Sequence, residues 1–258
     1  MTTTFDTIRH IEHREIDRLD AYLAPLDADG WLEQSYCTEW RVYQVASHLA
    51  SGARIFLGNL AQWFDDGPPM AGEDMRRIWA EFDAMAPGEI YVAFHQATQD
   101  YFARLEALPP EAGTMEVDGF LGRKPARTML ALRLNEVVLH TWDVLVARDR
   151  AARLPADALE TLLTTQLELR TLRMPAPLAG KRILLTVSGS QWQWLIDCRG
   201  EKPVVESPTG EAEIRVDAPA EELCRLLSGR HFLPGSLPLL TWQGGSYQEI
   251  AALNIFAW

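Results

Sequence analysis

Three cysteines in 258 residues, Cys37, Cys198 and Cys224, with no C-x-x-C among them, exclude a disulfide framework and a Cys-rich zinc site. They predict reduced, buried thiols. No stretch approaches the about 18 consecutive apolar residues of a bilayer-crossing helix, so membrane insertion is not expected. Basic residues are in the minority, 24 Lys and Arg against 36 Asp and Glu, for a net charge of −12. No dense Lys/Arg run offsets that bias, and the average field repels a phosphate backbone, which argues against nucleic acid as a partner. The opening residues, MTTTFDTIRHIEHREIDRLD, lack a basic segment followed by an apolar one, which predicts a cytoplasmic protein. Internal repeats and low-complexity tracts are also missing. What is present is 47% hydrophobic, ordinary for a globular chain, and long enough for one large domain or two smaller ones.

The N-terminal two-thirds is periodic at helical spacing. Phe5, Ile8, Ile11, Ile16, Leu19, Leu23 and Leu26 define one amphipathic helix that should stop near Gly30. Val42, Val45, Leu49, Phe56, Leu60 and Trp63 define a second, ended by Asp65-Asp66-Gly67-Pro68-Pro69. A third helical region covers 74–108, interrupted at Pro87-Gly88, with Ile90, Phe94, Ala97, Tyr101 and Leu105 as its clearest face. The fourth covers 126–147. Amphipathic helices of this length predict a helix bundle whose inner faces can host a site. A further helix, 156–173, leads to a stretch at 174–180 with two prolines and a glycine, read as the domain boundary. Beyond it the period falls to two. Segments 182–188 and 191–197 flank a Gly-Ser turn and predict a β-hairpin, followed by a strand at 212–216, a helix at 220–227 behind Pro219, and a short helix within 247–258. The fold class is therefore α then α+β, with a helical domain over 1–174 and a smaller α+β domain over 181–258.

The fourth helix carries ionisable groups where apolar ones are expected. Glu136 and His140 are four residues apart and share a face, continued by Met129, Leu132 and Arg133 before them and Asp143, Val144 and Ala147 after. His48 lies on the apolar side of the second helix. Ionised groups inside a bundle are costly unless compensated, and a divalent cation held by two neutral imidazoles and one carboxylate compensates them. Three protein ligands with one open position is the catalytic zinc pattern, and two imidazoles with a carboxylate suit Zn2+ better than Mg2+ or Ca2+. The competing reading is a buried ion pair between Arg133 and Glu136 with His48 as a hydrogen-bonded core residue. His10, His13, His95 and His231 receive no role, and Trp192, Trp194 and Trp242 are assigned to the core in preference to a ligand cleft.

Trp40-x-Val42-x-x-Val45-Ala46-x-His48-Leu49, Glu136-Val137-Val138-Leu139-His140-Thr141-Trp142-Asp143, and Ala220-Glu221-Glu222-Leu223-x-x-Leu226-Leu227-Ser228-Gly229-Arg230 together resemble the mycothiol-dependent maleylpyruvate isomerase family. The resemblance implies a DinB-like four-helix bundle followed by a sterol-carrier-like domain, with metal ligands at His48, Glu136 and His140. An arginine of the C-terminal domain contributes to activity in the family; Arg230 is the candidate here, with Arg225 second. The chain departs from the family pattern at Cys37-Thr38-Glu39-Trp40-Arg41, where a glycine before the tryptophan and a small hydroxyl residue after it are more usual, which removes an expected N-cap.

The implied chemistry is that of a metal-activated thiol. Coordination deprotonates a low-molecular-weight thiol such as mycothiol at neutral pH, so the protein need not supply its own cysteine. The thiolate would add to a conjugated cis double bond of a small acid and leave after rotation, with Arg230 holding a carboxylate and Asp143 fixing an imidazole tautomer. Transfer of the thiol to an electrophile, metal-dependent hydrolysis, and a non-catalytic carrier of an apolar ligand are the other readings. Substrate selection would lie in the loops at 67–73 and 113–123.

Overall fold

The computed structural model describes residues 4–231 and 239–254, and the chain divides into two compact units, residues 1–155 and 156–258. In the first unit, helix α1 (Phe5–Leu23) opens with Thr4, whose Oγ1 accepts the Thr7 N–H. It buries Phe5, Ile8, Ile11, Ile16, Leu19 and Leu23. It ends before the expected Gly30 because Pro25 brings no N–H to continue the ladder. A separate turn of helix, α2 (Ala28–Trp31), follows, capped by Asp27. Helix α3 (Val42–Phe64) starts after Arg41; although it lacks a hydroxyl cap, the Gln44 side chain reaches back to accept the Arg41 N–H at 2.9 Å. The third helical region is two helices, α4 (Gly72–Asp83) and α5 (Pro87–Glu106), with Pro87 at the first turn of the second, where its missing N–H costs nothing.

Two short antiparallel strands, β1 (Glu116–Gly119) and β2 (Gly122–Pro125), stand between α5 and α6 (Ala126–Arg148) where a loop was expected. Gly122, at φ +79°, makes their tight turn. Helices α1, α3, α5 and α6 form a closed ring, in which α1 packs on α5 and α6, and α3 on the same two. That ring is the four-helix bundle. No helix among the described residues is long and apolar enough to cross a membrane.

In the second unit, α7 (Leu159–Arg170) packs on α8 (Ala220–Leu227), so the division falls before α7 and not in the Pro- and Gly-containing stretch at 174–180. Strands β3 (Arg182–Val187), β4 (Gln193–Asp197), β5 (Val204–Glu206), β6 (Ile214–Ala218) and β7 (Thr241–Gln243) form one sheet in the order β5-β4-β3-β6-β7. The hairpin β3/β4 is antiparallel, whereas β3 and β6 run parallel. Trp192 and Trp194 are half-buried and Trp242, on the edge strand, is exposed, which corrects their assignment to the core. Edge position leaves one side of such a residue without a neighbour. The tail contains α9 (Tyr247–Ala251); residues 255–258 of the expected helix lie outside the described residues.

One layer of the bundle is charged. Glu12 on α1, fully buried, accepts from the Tyr101 hydroxyl of α5 at 3.1 Å and faces Arg133 Nε of α6 at 3.4 Å. Arg133 in turn donates from Nη2 to the Leu49 carbonyl of α3 at 2.8 Å. Arg133 therefore serves Glu12 and a backbone oxygen, not Glu136. Gly52, one turn beyond His48, leaves the space it occupies: a Cβ there would lie 2.6 Å from Arg133 Nη1. Burial raises the Glu12 carboxyl from 4.5 to about 7 despite the opposing guanidinium of Arg133 and hydroxyl of Tyr101. A carboxyl that holds its proton more tightly when folded favours folding at low pH, and this contribution is lost as pH rises from 4.5 to about 7, by on the order of 3 kcal/mol. Glu12→Gln, neutral throughout, is expected to remove that slope, so urea unfolding at pH 5 and pH 7.5 should separate the two proteins by roughly that amount. Parallel pH profiles would contradict the assignment.

Candidate metal centre

Helices α3 and α6 bring the three expected residues together. His48 Nε2 lies 3.0 Å from Glu136 Oε2, and His140 Nε2 lies 3.4 Å from the same oxygen. All three donor atoms are within 4.8 Å of one another. Four donors held at about 2.0–2.1 Å from a tetrahedral cation would be ~3.3 Å apart, so this set has the spacing of a first coordination shell. Both imidazoles direct a nitrogen at one carboxylate oxygen, and the donors are of the kind that holds zinc. His48 and Glu136 keep 28% and 33% of their side chains exposed while His140 keeps 10%, so one flank of the set is open to an exogenous ligand.

Behind His140 the site is closed. Its Nδ1 meets Asp143 Oδ2 at 2.9 Å, and Asp143 is fully buried, which rules out a surface role for that carboxylate. A donor on Nδ1 leaves the Nε2 lone pair directed at the Glu136 side. The Trp40 ring stands 4.8 Å from His48 and 5.4 Å from His140, covering both imidazoles. Cys37, expected to be a buried thiol, is half-exposed, and its Sγ lies 3.0 Å from Asp143 Oδ2 and 3.8 Å from His140 Nδ1. Cys198 and Cys224 are buried, as expected. Cys37 was missed because its loop has no periodicity; its place three residues before Trp40 was the available signal. Arg230 belongs to the second unit, where it is buried beyond α8 and donates from Nη1 to the Ser228 carbonyl at 3.0 Å. Arg225 is likewise buried and paired with Glu222.

The electrostatics separate the two imidazoles. Burial opposes charge on His140, yet its hydrogen bonds with Asp143, Cys37 and Glu136, the two carboxylates accepting, outweigh it and hold the ring well above the usual 6.5. For His48 burial wins over the Glu136 hydrogen bond and moves the ring below 6.5. Burial likewise opposes ionisation of Glu136, but its bonds to His140 and His48 keep the carboxyl well below 4.5. In metal-free protein, NMR titration of the ring signals should therefore place His140 above 6.5 and His48 below it, and Asp143→Asn should bring His140 down. His48 titrating above His140 would contradict this order.

A family model described as the mycothiol maleylpyruvate isomerase N-terminal domain matches residues 13–145. Two solved structures share the fold: the mycothiol-dependent maleylpyruvate isomerase, at 21% identity, and a histidine-to-alanine mutant of it, at 20%. Each alignment covers 96% of this chain and 98% of the other with a TM-score of 0.69. No curated protein matches significantly. Because the matched segment spans more than half of its length, the chain belongs to the mycothiol maleylpyruvate isomerase N-terminal domain family.

Proposed function

We propose that this chain is a metal-dependent enzyme that uses the low-molecular-weight thiol mycothiol as cofactor and isomerises a small unsaturated acid from cis to trans. The observation that carries this reading is the convergence of His48 Nε2 and His140 Nε2 on one oxygen of Glu136, open on one flank, in a chain of this family. The solved relatives that share the fold are mycothiol-dependent maleylpyruvate isomerases. The three residues would hold a divalent cation, proposed as Zn2+ from the donor set. When bound, the cation supplies a vacant position at which a thiol loses its proton at neutral pH.

The remaining roles fall to the protein. Asp143 holds the Nδ1–H of His140, so that the ring keeps its plane and presents Nε2. Trp40 covers the imidazoles and excludes water from that side. The half-exposed flank of His48 and Glu136 is the approach for thiol and substrate. Addition of the thiolate to the cis double bond converts it to a single bond, rotation follows, and expulsion of the thiolate restores the double bond as trans. Arg230 is the proposed partner of the substrate carboxylate, on the strength of the family resemblance.

Elemental analysis tests the site. The purified chain is expected to carry about one equivalent of zinc or a similar divalent ion, and His48→Ala, Glu136→Ala and His140→Ala should each weaken its retention; unchanged content in all three would contradict it. Assay of maleylpyruvate with and without mycothiol tests the reaction. Thiol-dependent loss of the cis acid with the thiol recovered supports isomerisation, a product that retains the thiol assigns S-transfer instead, and thiol-independent hydrolysis contradicts both.

A further inference from the structure

The outer side of the candidate centre contains a second convergence. Cys37 Sγ and His140 Nδ1 both approach Oδ2 of Asp143, at 3.0 and 2.9 Å. Cys37, His140 and Asp143 offer donor atoms close enough to be read as a metal set of their own. That set and the one with His48 and Glu136 share His140, and a neutral imidazole has one lone pair, so only one of them can take a cation. The carboxylate at Nδ1 requires the proton there, which leaves Cys37 and Asp143 as an outer layer.

The segment that carries Cys37 is held to the same place by its backbone. Tyr36 N–H donates to the Asp143 carbonyl at 2.9 Å, so main chain and side chain of Asp143 both bind this loop. The loop is closed on itself: Gln34 Nε2 donates to the carbonyls of Cys37 at 2.7 Å and Trp40 at 2.8 Å, and Trp40 N–H donates to the Cys37 carbonyl at 2.9 Å. Its other end carries the Trp40 ring that covers both imidazoles. Beside the Trp40 ring, a thiol proton directed at the buried Asp143 carboxylate thus links this loop to the Nδ1 side of His140.

We propose that Cys37 is a positioning residue of the centre, which acts through Asp143 to fix the plane and tautomer of His140 and so keys the loop at 34–41 to the ligand geometry. The inference rests on the metal reading above. It assigns the thiol no part in bond making.

The test compares Cys37→Ser, which keeps a donor, with Cys37→Val, which keeps bulk and loses it. Zinc affinity is read by chelator competition and ligand geometry by the visible spectrum of the cobalt-substituted protein. Cys37→Val is expected to weaken zinc about tenfold, the low end for loss of an outer-layer partner, and to shift the cobalt bands, while Cys37→Ser stays close to the unaltered chain. A purely structural role would lower thermal stability without moving the cobalt spectrum. Native affinity and spectrum in Cys37→Val overturn the proposal. If that variant does not fold, methylthiolation of the folded native chain at Cys37, with Cys198 and Cys224 buried, gives the same two readouts, and unchanged values overturn the proposal equally. Failure of the unaltered chain to bind zinc at all would instead overturn the metal reading, and this inference with it.

Discussion

The candidate centre depends on the distance between α3 and α6, and a buried arginine sets that distance. Arg133 spans the interface to the Leu49 carbonyl, next in sequence to His48, and its other side faces Glu12. With Tyr101 the layer draws on all four bundle helices, α1, α3, α5 and α6. Such a layer is a poor source of net stability, since desolvation of both charges consumes most of the Coulombic gain, but removing one partner strands the other and costs about 3–5 kcal/mol. Its physical value is directional. Apolar side chains tolerate sliding along a neighbouring helix, whereas a guanidinium bound to one carbonyl does not, so His48 is held in register with Glu136 and His140.

Above that layer the polar groups run in single file. Glu136 Oε2, the ring of His140, Asp143 Oδ2 and Cys37 Sγ alternate acceptor and donor from the half-exposed flank through the buried Asp143 to the half-exposed Cys37. Each group is compensated by its neighbour, which is how a carboxylate as deeply buried as Asp143 is tolerated beside apolar residues of α6. A cation on the open side replaces protons and leaves this alternation intact. The file also explains why the two histidines differ: His140 lies between two carboxylates, and His48 has one.

Much of this was legible in the sequence, and the failures have physical causes. The core faces of α1, α3 and α5 follow from apolar spacing, and His48, Glu136 and His140 converge because each lies on the inward stripe of a long regular helix. Glu12 was passed over because a charge between Ile11 and Ile16 reads as solvated; only the arginine and tyrosine from distant helices make its burial tolerable. The competing pairing of Arg133 with Glu136 rested on their closeness in sequence, whereas the side chain reaches Glu12 of α1 and the Leu49 carbonyl of α3. The strands β1 and β2 are too short and polar to show a period of two. Helix α7 belongs with the sheet unit because packing on α8, not the proline content of the following stretch, decides where compactness divides.

The glycine beneath His48 has a consequence for how this chain can vary through descent. A Cβ at position 52 would lie 2.6 Å from the guanidinium of residue 133, a shortened residue 133 strands the acid at position 12, and a neutral residue 12 leaves the arginine with the Leu49 carbonyl but without its facing carboxylate. Positions 12, 52 and 133, on three separate helices, are therefore coupled: the side chain at one limits what the other two can carry.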